Sequence, residues 1–184
     1  MGRQLTHVEL VYRPGERPLA VELLELLGCR VVDRGGVYFT AFVEPTDADY
    51  VTNVLYASEV TPRQWELEQA LEAQAALAGP MQAYAELLRH EPQRSFHFGF
   101  RVPEEAALAA TLDDIRSASA RDSGLAGRVT VAGVFRPGDP SAVTDTMIQA
   151  FVWTDVVAAG LLTLGQHIEL QWHVPAPSAF SPDA

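Results

Sequence analysis

The feature that most constrains the fold is a pattern of chain elements that occurs twice. Residues 6–10 (THVEL) and 96–100 (FHFGF) are both typical of β-strands, and each carries a histidine in its second position. These histidines, His7 and His97, are 90 residues apart in a chain of 184 residues. A repeat of this length predicts two copies of one supersecondary unit that pack together.

Each copy is predicted to contain one strand, one helix and three further strands. In the first copy, Pro18 suits the first turn of a helix and Gly28 suits its C-terminal end. Alternating or β-rich segments predict the strands at residues 5–12, 30–32, 37–43 and 50–59 of the first copy. The second copy has predicted strands at residues 95–102, 127–135, 147–154 and 166–174, with a helix from Pro103 to about residue 118.

A helical connector is predicted between the two copies. Thr61 suits the N-cap, Pro62 the first helical position and Gln64 the partner in a capping box. We expect this helix to run to about Ala78, to be broken at Gly79-Pro80, and to be followed by a short helix over 81–88 and a loop over 90–94.

These elements predict an α+β protein made of two βαβββ modules whose sheets form a curved half-barrel. The predicted boundaries are 1–60 for the first module, 61–93 for the connector, 94–174 for the second module and 175–184 for a flexible tail.

Composition narrows the classes of function. A formal net charge of -11 repels a phosphate backbone, so we expect no nucleic-acid partner. No apolar stretch is long enough to cross a bilayer, and the N-terminus lacks the basic and apolar regions of a signal peptide. The single cysteine, Cys29, lies in an apolar stretch and is predicted to be buried. These features predict a soluble cytoplasmic protein with no membrane partner.

Two histidines and one glutamate on three predicted strands suggest a metal site. His7, His97 and Glu169 provide neutral imidazoles and one carboxylate, a set that is able to hold a divalent metal with positions open for a substrate. Glu169 is expected to face the same side as Gln171 and His173, because side chains alternate along a strand.

The chain resembles the vicinal oxygen chelate superfamily. The resemblance lies in the repeated βαβββ order, in His7 and His97, in the join at residues 27–32 (LGCRVV), and in residues 165–170 (GQHIEL), which are similar to a Gly-x-x-Ile-Glu-Leu ending. The superfamily includes glyoxalase I, type I extradiol dioxygenases, methylmalonyl-CoA epimerase and resistance proteins of the bleomycin and fosfomycin types.

The resemblance implies metal ligands from the first and fourth strands of each module, which match His7, His97 and Glu169. Aligning residues 54–57 with 168–171 places Leu55 at the remaining position, where a leucine is unable to bind a metal. A shift of two residues offers Asn53 or Ala57, and a shift of four offers Glu59. The three-residue set is similar to that of the dioxygenases, so iron(II) is favoured, with manganese, zinc or nickel as alternatives.

The sequence leaves two hypotheses of function. The first is a metal-dependent dioxygenase, or a lyase or isomerase, acting on a small substrate with vicinal oxygens that is catechol-like or an α-keto or α-hydroxy compound. Glu9 and His173 are candidate acid–base residues, although Glu9 also suits a surface position and His173 a strand end; His167 is assigned a structural role. The second hypothesis is a metal-free protein that sequesters a small molecule. The family also implies a homodimer.

Overall fold

The computed structural model describes residues 5–46, 49–50, 52–121 and 123–175, so most of the predicted tail lies outside the described residues. The elements of the first module are β1 (His7–Tyr12), α1 (Arg17–Leu26), β2 (Arg30–Val32), β3 (Tyr38–Phe42) and β4 (Val54–Glu59). The connector consists of α2 (Pro62–Ala73), α3 (Ala75–His90) and a short 3₁₀ helix at Pro92–Arg94. The second module consists of β5 (His97–Arg101), α4 (Glu105–Ala120), β6 (Val129–Phe135), β7 (Met147–Thr154) and β8 (Gln166–His173), with another 3₁₀ helix at Leu162–Leu164.

Each module forms its own four-stranded sheet with the same strand order. The orders are β1-β4-β3-β2 and β5-β8-β7-β6. In both sheets the first strand of the module lies parallel to the last, and the other neighbours are antiparallel. The predicted α+β class with two βαβββ modules is therefore confirmed, and the two described sheets do not close into a barrel.

Local sequence signals account for several helix ends. Gly28 has a φ of 87°, a left-handed conformation that glycine adopts readily after a helix. The Thr61 hydroxyl accepts a hydrogen bond of 3.2 Å from the backbone N–H of Gln64, as the capping box predicts.

The predicted break at Gly79-Pro80 is wrong. The connector is interrupted at Gln74, whose extended backbone (φ −80°, ψ 101°) ends α2 and begins α3. Pro80 lies inside α3. A proline removes one backbone donor, and here the helix continues through that loss. His90, predicted in a loop, is the last residue of α3.

One hydrophobic core joins the two modules. Helices α1 and α4 pack against each other and against their own sheets. The core includes fully buried residues from both modules, among them Leu10, Leu23, Leu24, Ile115 and Ile168. In β1 and β5 the even-numbered residues take part in this core, so the odd-numbered ones face the other side of each sheet.

A polar contact network also holds the modules together. Asp155 accepts hydrogen bonds from Arg13 at 2.9 Å and from Arg128 at 2.8 Å. Arg128 also forms a two-pronged pair with Glu16, at 2.7 and 2.9 Å. Burial by itself would lower the pKa of Arg128, but the bonds to Glu16 and Asp155 outweigh it and raise that pKa.

The connector is fixed to the second module by one buried carboxylate. Glu68 of α2 is 1% exposed and accepts hydrogen bonds from the backbone N–H groups of Leu162 and Thr163, from the Thr163 hydroxyl and from the Gln64 amide. Burial acts to raise the pKa of Glu68, and these hydrogen bonds more than offset it, so the pKa is lowered.

In the described part of the chain, no helix has the length and apolar character needed to span a membrane.

Replacement of Gly165 by alanine is expected to destabilise the fold. Gly165 has a φ of 70° and a ψ of 179°, a region that is essentially restricted to glycine. A Cβ there would lie 2.4 Å from the indole nitrogen of Trp153. We expect Gly165→Ala to lower the free energy of unfolding by about 2 kcal/mol or more in urea titrations. Gly160→Ala is the control, since a Cβ at Gly160 would lie more than 4 Å from every described heavy atom beyond its chain neighbours. Equal losses in the two variants would contradict the prediction.

Cys29 is expected to be unreactive in the folded protein. Its side chain is buried, and that burial raises the pKa of the thiol to about 12. Because the thiolate is the reactive form, labelling with a disulfide reagent should be slow in buffer and complete within minutes in concentrated urea. Rapid labelling of the native protein would show that Cys29 is accessible.

Candidate functional site

A cavity of about 620 Å³ lies where the edge strands β1 and β5 approach each other. Both modules contribute to its wall, which is formed by Leu5, Thr6, His7, Val8, Val43, Glu44, Asn53, Val54, Leu55, His97, Phe98, Gly99, Phe100 and Arg101. The two histidines predicted from the repeat, His7 and His97, therefore line the same cavity.

His97, on the wall of this cavity, contacts the buried Glu169 behind it. The His97 Nε2 and Glu169 Oε2 atoms are 3.4 Å apart, and the side chains are 27% and 4% exposed. The contact follows from strand register, because Gly99 is the β5 residue opposite Glu169. A Cβ on Gly99 would lie 3.4 Å from Glu169 Oε2, so the missing side chain leaves the carboxylate its space beside His97.

Hydrogen bonds fix the orientation of both groups. His97 Nδ1 lies 2.9 Å from the Ser95 carbonyl, which only accepts, so the hydrogen is on Nδ1 and Nε2 is left with its lone pair. The Gln149 amide donates to Glu169 Oε1 at 2.6 Å, which leaves Oε2 for His97. Nε2 therefore directs its lone pair toward Glu169 Oε2, and a cation placed between the two atoms would interact favourably with both.

His167 belongs to the same cluster, which the sequence interpretation missed. It is 1% exposed, and its Nδ1 lies 2.9 Å from the Ser95 hydroxyl. That hydroxyl donates to the Pro92 carbonyl, so it accepts from His167 Nδ1–H. Nε2 is then a buried acceptor without a hydrogen-bond partner in the described part of the chain. Its spacing in the sequence could have identified it, because His167 is two residues from Glu169 and residues two apart on a strand share a face.

Burial and the neighbouring His97 lower the pKa of His167 to about 4. His167 is therefore neutral at pH 7, and it adds no positive charge beside His97. Its ring also packs near Phe151, with the ring centres 6.4 Å apart.

The described residues bring together two of the three predicted metal donors. The 3.4 Å between His97 Nε2 and Glu169 Oε2 suits a shared tetrahedral metal, whose ligands at about 2.0–2.1 Å lie roughly 3.4 Å apart. His7 does not join them: its Nδ1 contacts the Thr6 hydroxyl at 3.0 Å, and its ring packs edge-on against Tyr56. Within residues 5–46, 49–50, 52–121 and 123–175, no three His, Cys, Asp or Glu side chains form a group able to hold a metal.

Strand register corrects the alignment of the two modules. His7 is opposite Val54 and His97 is opposite His167, so the counterpart of Glu169 is Tyr56. The alignment that placed Leu55 at this position is wrong by one residue. The Tyr56 hydroxyl donates to the Tyr50 carbonyl at 3.0 Å.

None of the alternatives for a fourth ligand makes a hydrogen bond or ion pair with the His97–Glu169 pair in the described structure. Asn53 lines the cavity with a φ of 54°, while Glu59 accepts a hydrogen bond of 2.9 Å from the Gly15 N–H at the far end of β4. Ala57 is fully buried in the core and carries no donor atom.

The candidate acid–base residues lie away from the cavity wall. Glu9 is exposed on β1, opposite Tyr56, and burial, Tyr38 and the Glu9 charge together raise the pKa of Tyr56. His173 ends β8, where its Nε2 lies 3.3 Å from the Gln171 amide oxygen. The roles of Glu9 and His173 stay predictions.

Comparison with known proteins finds similarity only at the level of solved structures. No model of a known protein family matches the chain, and no curated protein matches it. Two chains among solved structures do match. One is a glyoxalase/bleomycin resistance protein/dioxygenase from Alicyclobacillus acidocaldarius, at 9% identity and a TM-score of 0.46, covering 94% of this chain and 93% of that chain.

Loss of the Ser95 hydroxyl is expected to destabilise the protein. Ser95→Ala removes the acceptor of the buried His167 Nδ1–H, and an unsatisfied buried donor costs about 1–3 kcal/mol. Ser58→Ala is the control, because Ser58 on β4 is half-buried like Ser95 but makes no side-chain hydrogen bond in the described structure. Urea unfolding of both variants tests this, and equal stabilities would contradict it.

Proposed function

We propose that the cavity between β1 and β5 is a small-molecule site and that the protein is a divalent-metal-dependent enzyme. Its substrate would be small and carry vicinal oxygens, as in a catechol-like compound or an α-keto or α-hydroxy acid. The observation that carries this proposal is the 3.4 Å contact of His97 Nε2 with Glu169 Oε2, two donor atoms held in place by hydrogen bonds at a separation that a shared metal ion would span.

His97 and Glu169 would hold the metal, with His7 from the opposite wall of the cavity as the third donor. Two imidazoles and one carboxylate suit iron(II), and manganese, zinc or nickel are alternatives. When bound, the metal would polarise the substrate oxygens and, if it is iron, support reaction with dioxygen. Dioxygenase chemistry is favoured over lyase chemistry because Tyr56, rather than a carboxylate, occupies the position that corresponds to Glu169.

The residues of the chain would position these groups. The Ser95 carbonyl holds the His97 ring with Nε2 free, and Gln149 holds one oxygen of Glu169. Apolar side chains from both modules, including Val8, Val54 and Phe98, would exclude water from a bound substrate. Glu9, on the same face of β1 as His7, and His173 remain the proposed acid–base residues.

A metal-free binding protein is the second proposal, and one observation favours it. The described residues contain no group of three side chains able to hold a metal, whereas the cavity itself is lined by both modules. In this case the cavity would sequester a small molecule without converting it. In either case, a cytoplasmic homodimer remains part of the proposal.

Metal analysis distinguishes the two proposals. Protein purified anaerobically without an affinity tag is expected to contain close to one divalent metal per chain by mass spectrometry. Glu169→Ala and His97→Ala should each reduce the content at least about tenfold, because each removes a direct ligand. His7→Ala tests the third donor, and His90→Ala is the control, since His90 is exposed at the end of α3.

Absence of metal from the wild-type protein, together with no uptake on incubation with iron(II), manganese or zinc, would overturn the enzyme proposal and favour the binding protein. Metal that persists in Glu169→Ala would place the site elsewhere.

A further inference from the structure

We propose that Arg101 selects a substrate that carries a single carboxylate, bound across Gly99 with its other end at His97 and Glu169. This inference rests on the proposed function, because it names the substrate class of the same cavity.

Arg101 is a cation on the cavity wall for which the described residues provide no partner. It is exposed at the end of β5, and within the described part of the chain it makes no hydrogen bond or ion pair. Arginines elsewhere in the fold differ, since Arg13, Arg17 and Arg128 are all paired with carboxylates. In a protein with a net charge of -11, a guanidinium left without a carboxylate is available to an anionic ligand.

The alternation of β5 places Arg101 on the same face as His97. Residues 97, 99 and 101 point to one side of the strand, and the first and last of these are about 13 Å apart along it. The middle position is Gly99, which has no side chain, so the surface between His97 and Arg101 is open. A ligand that lies across Gly99 would reach both ends, with Glu169 behind it.

The rest of the wall indicates the character of the ligand. About half of the lining residues have apolar side chains, which suits an aromatic or aliphatic body. Among the described residues that line the cavity, Glu44 is the acidic one, and its carboxylate accepts hydrogen bonds from the N–H and hydroxyl of Thr46. A second negative charge on the ligand would be repelled by Glu44, so one carboxylate fits better than two.

Two probes that differ only in the carboxylate test the proposal. 3,4-Dihydroxybenzoate and catechol share vicinal hydroxyls, and only the first carries a carboxylate. Their dissociation constants are measured by titration calorimetry on the full chain, anaerobically, as purified and after loading with zinc. Wild-type protein is expected to bind 3,4-dihydroxybenzoate at least about tenfold more tightly than catechol.

Arg101→Gln is expected to abolish this preference without changing the affinity for catechol, and Arg101→Lys should restore part of it. Arg63→Gln is the control, since Arg63 is exposed in the first turn of α2 and does not line the cavity.

Three outcomes would overturn the inference: no preference in the wild type, an unchanged preference in Arg101→Gln, or no binding of either probe to the wild type. The metal content of the same samples separates this result from the proposed function. If the protein holds metal at Glu169 but shows no preference for the carboxylate, only the inference about Arg101 is overturned. If the protein takes up no metal, the enzyme proposal is overturned, whatever the probes show.

Discussion

The docking of the two modules is the constraint on which the rest of the structure depends. The cavity has walls from both β1 and β5, yet these strands belong to separate sheets. Their relative position is held by the shared core of α1 and α4, by the Arg13–Asp155–Arg128–Glu16 network, and by backbone hydrogen bonds of 2.8 and 3.0 Å between Val11 and Ala158. The network is partly buried, which strengthens its charge-assisted bonds relative to exposed pairs. A change in this docking would alter the cavity without touching any residue that lines it.

The two modules share a backbone plan and differ in the chemistry placed on it. At matched register positions the second module has Gly99 and Glu169, where the first has Glu9 and Tyr56. The glycine leaves room for a buried carboxylate beside His97, whereas in the first module the aromatic ring of Tyr56 packs against His7, with ring centres 5.6 Å apart. One sheet therefore carries a polar cluster of donors and acceptors, and the other presents aromatic side chains. This asymmetry places the proposed chemistry on the second-module side of the cavity.

Side-chain alternation and helix capping predicted the strands and helix ends well. The position of a proline did not predict where the connector helix is interrupted. The strands Arg30–Val32 and Met147–Thr154 have the predicted bounds, and the capping of α2 by Thr61 is as expected, because side-chain alternation and capping depend on neighbouring residues. Pro80 was expected to break the connector, but the break occurs six residues earlier, at Gln74. The cost of a proline within a helix is a few kcal/mol at most, and tertiary contacts made by the helix are able to offset it.

The sequence by itself determined the repeat, the βαβββ order of each module and the common facing of Glu169, Gln171 and His173 along the last strand, because these depend on periodicity along a single strand. Only the tertiary structure decided the register that pairs Glu169 with Gly99 and Tyr56 with Glu9, since a shift of one residue is invisible in a short pattern and reverses every side chain. It also decided that Ser95 orients both His97 and His167, that His7 shares a cavity with His97 without joining its contact with Glu169, and that Arg101 lies on the same wall. Such relations join residues far apart in the chain, and only the packing of the two modules brings them together.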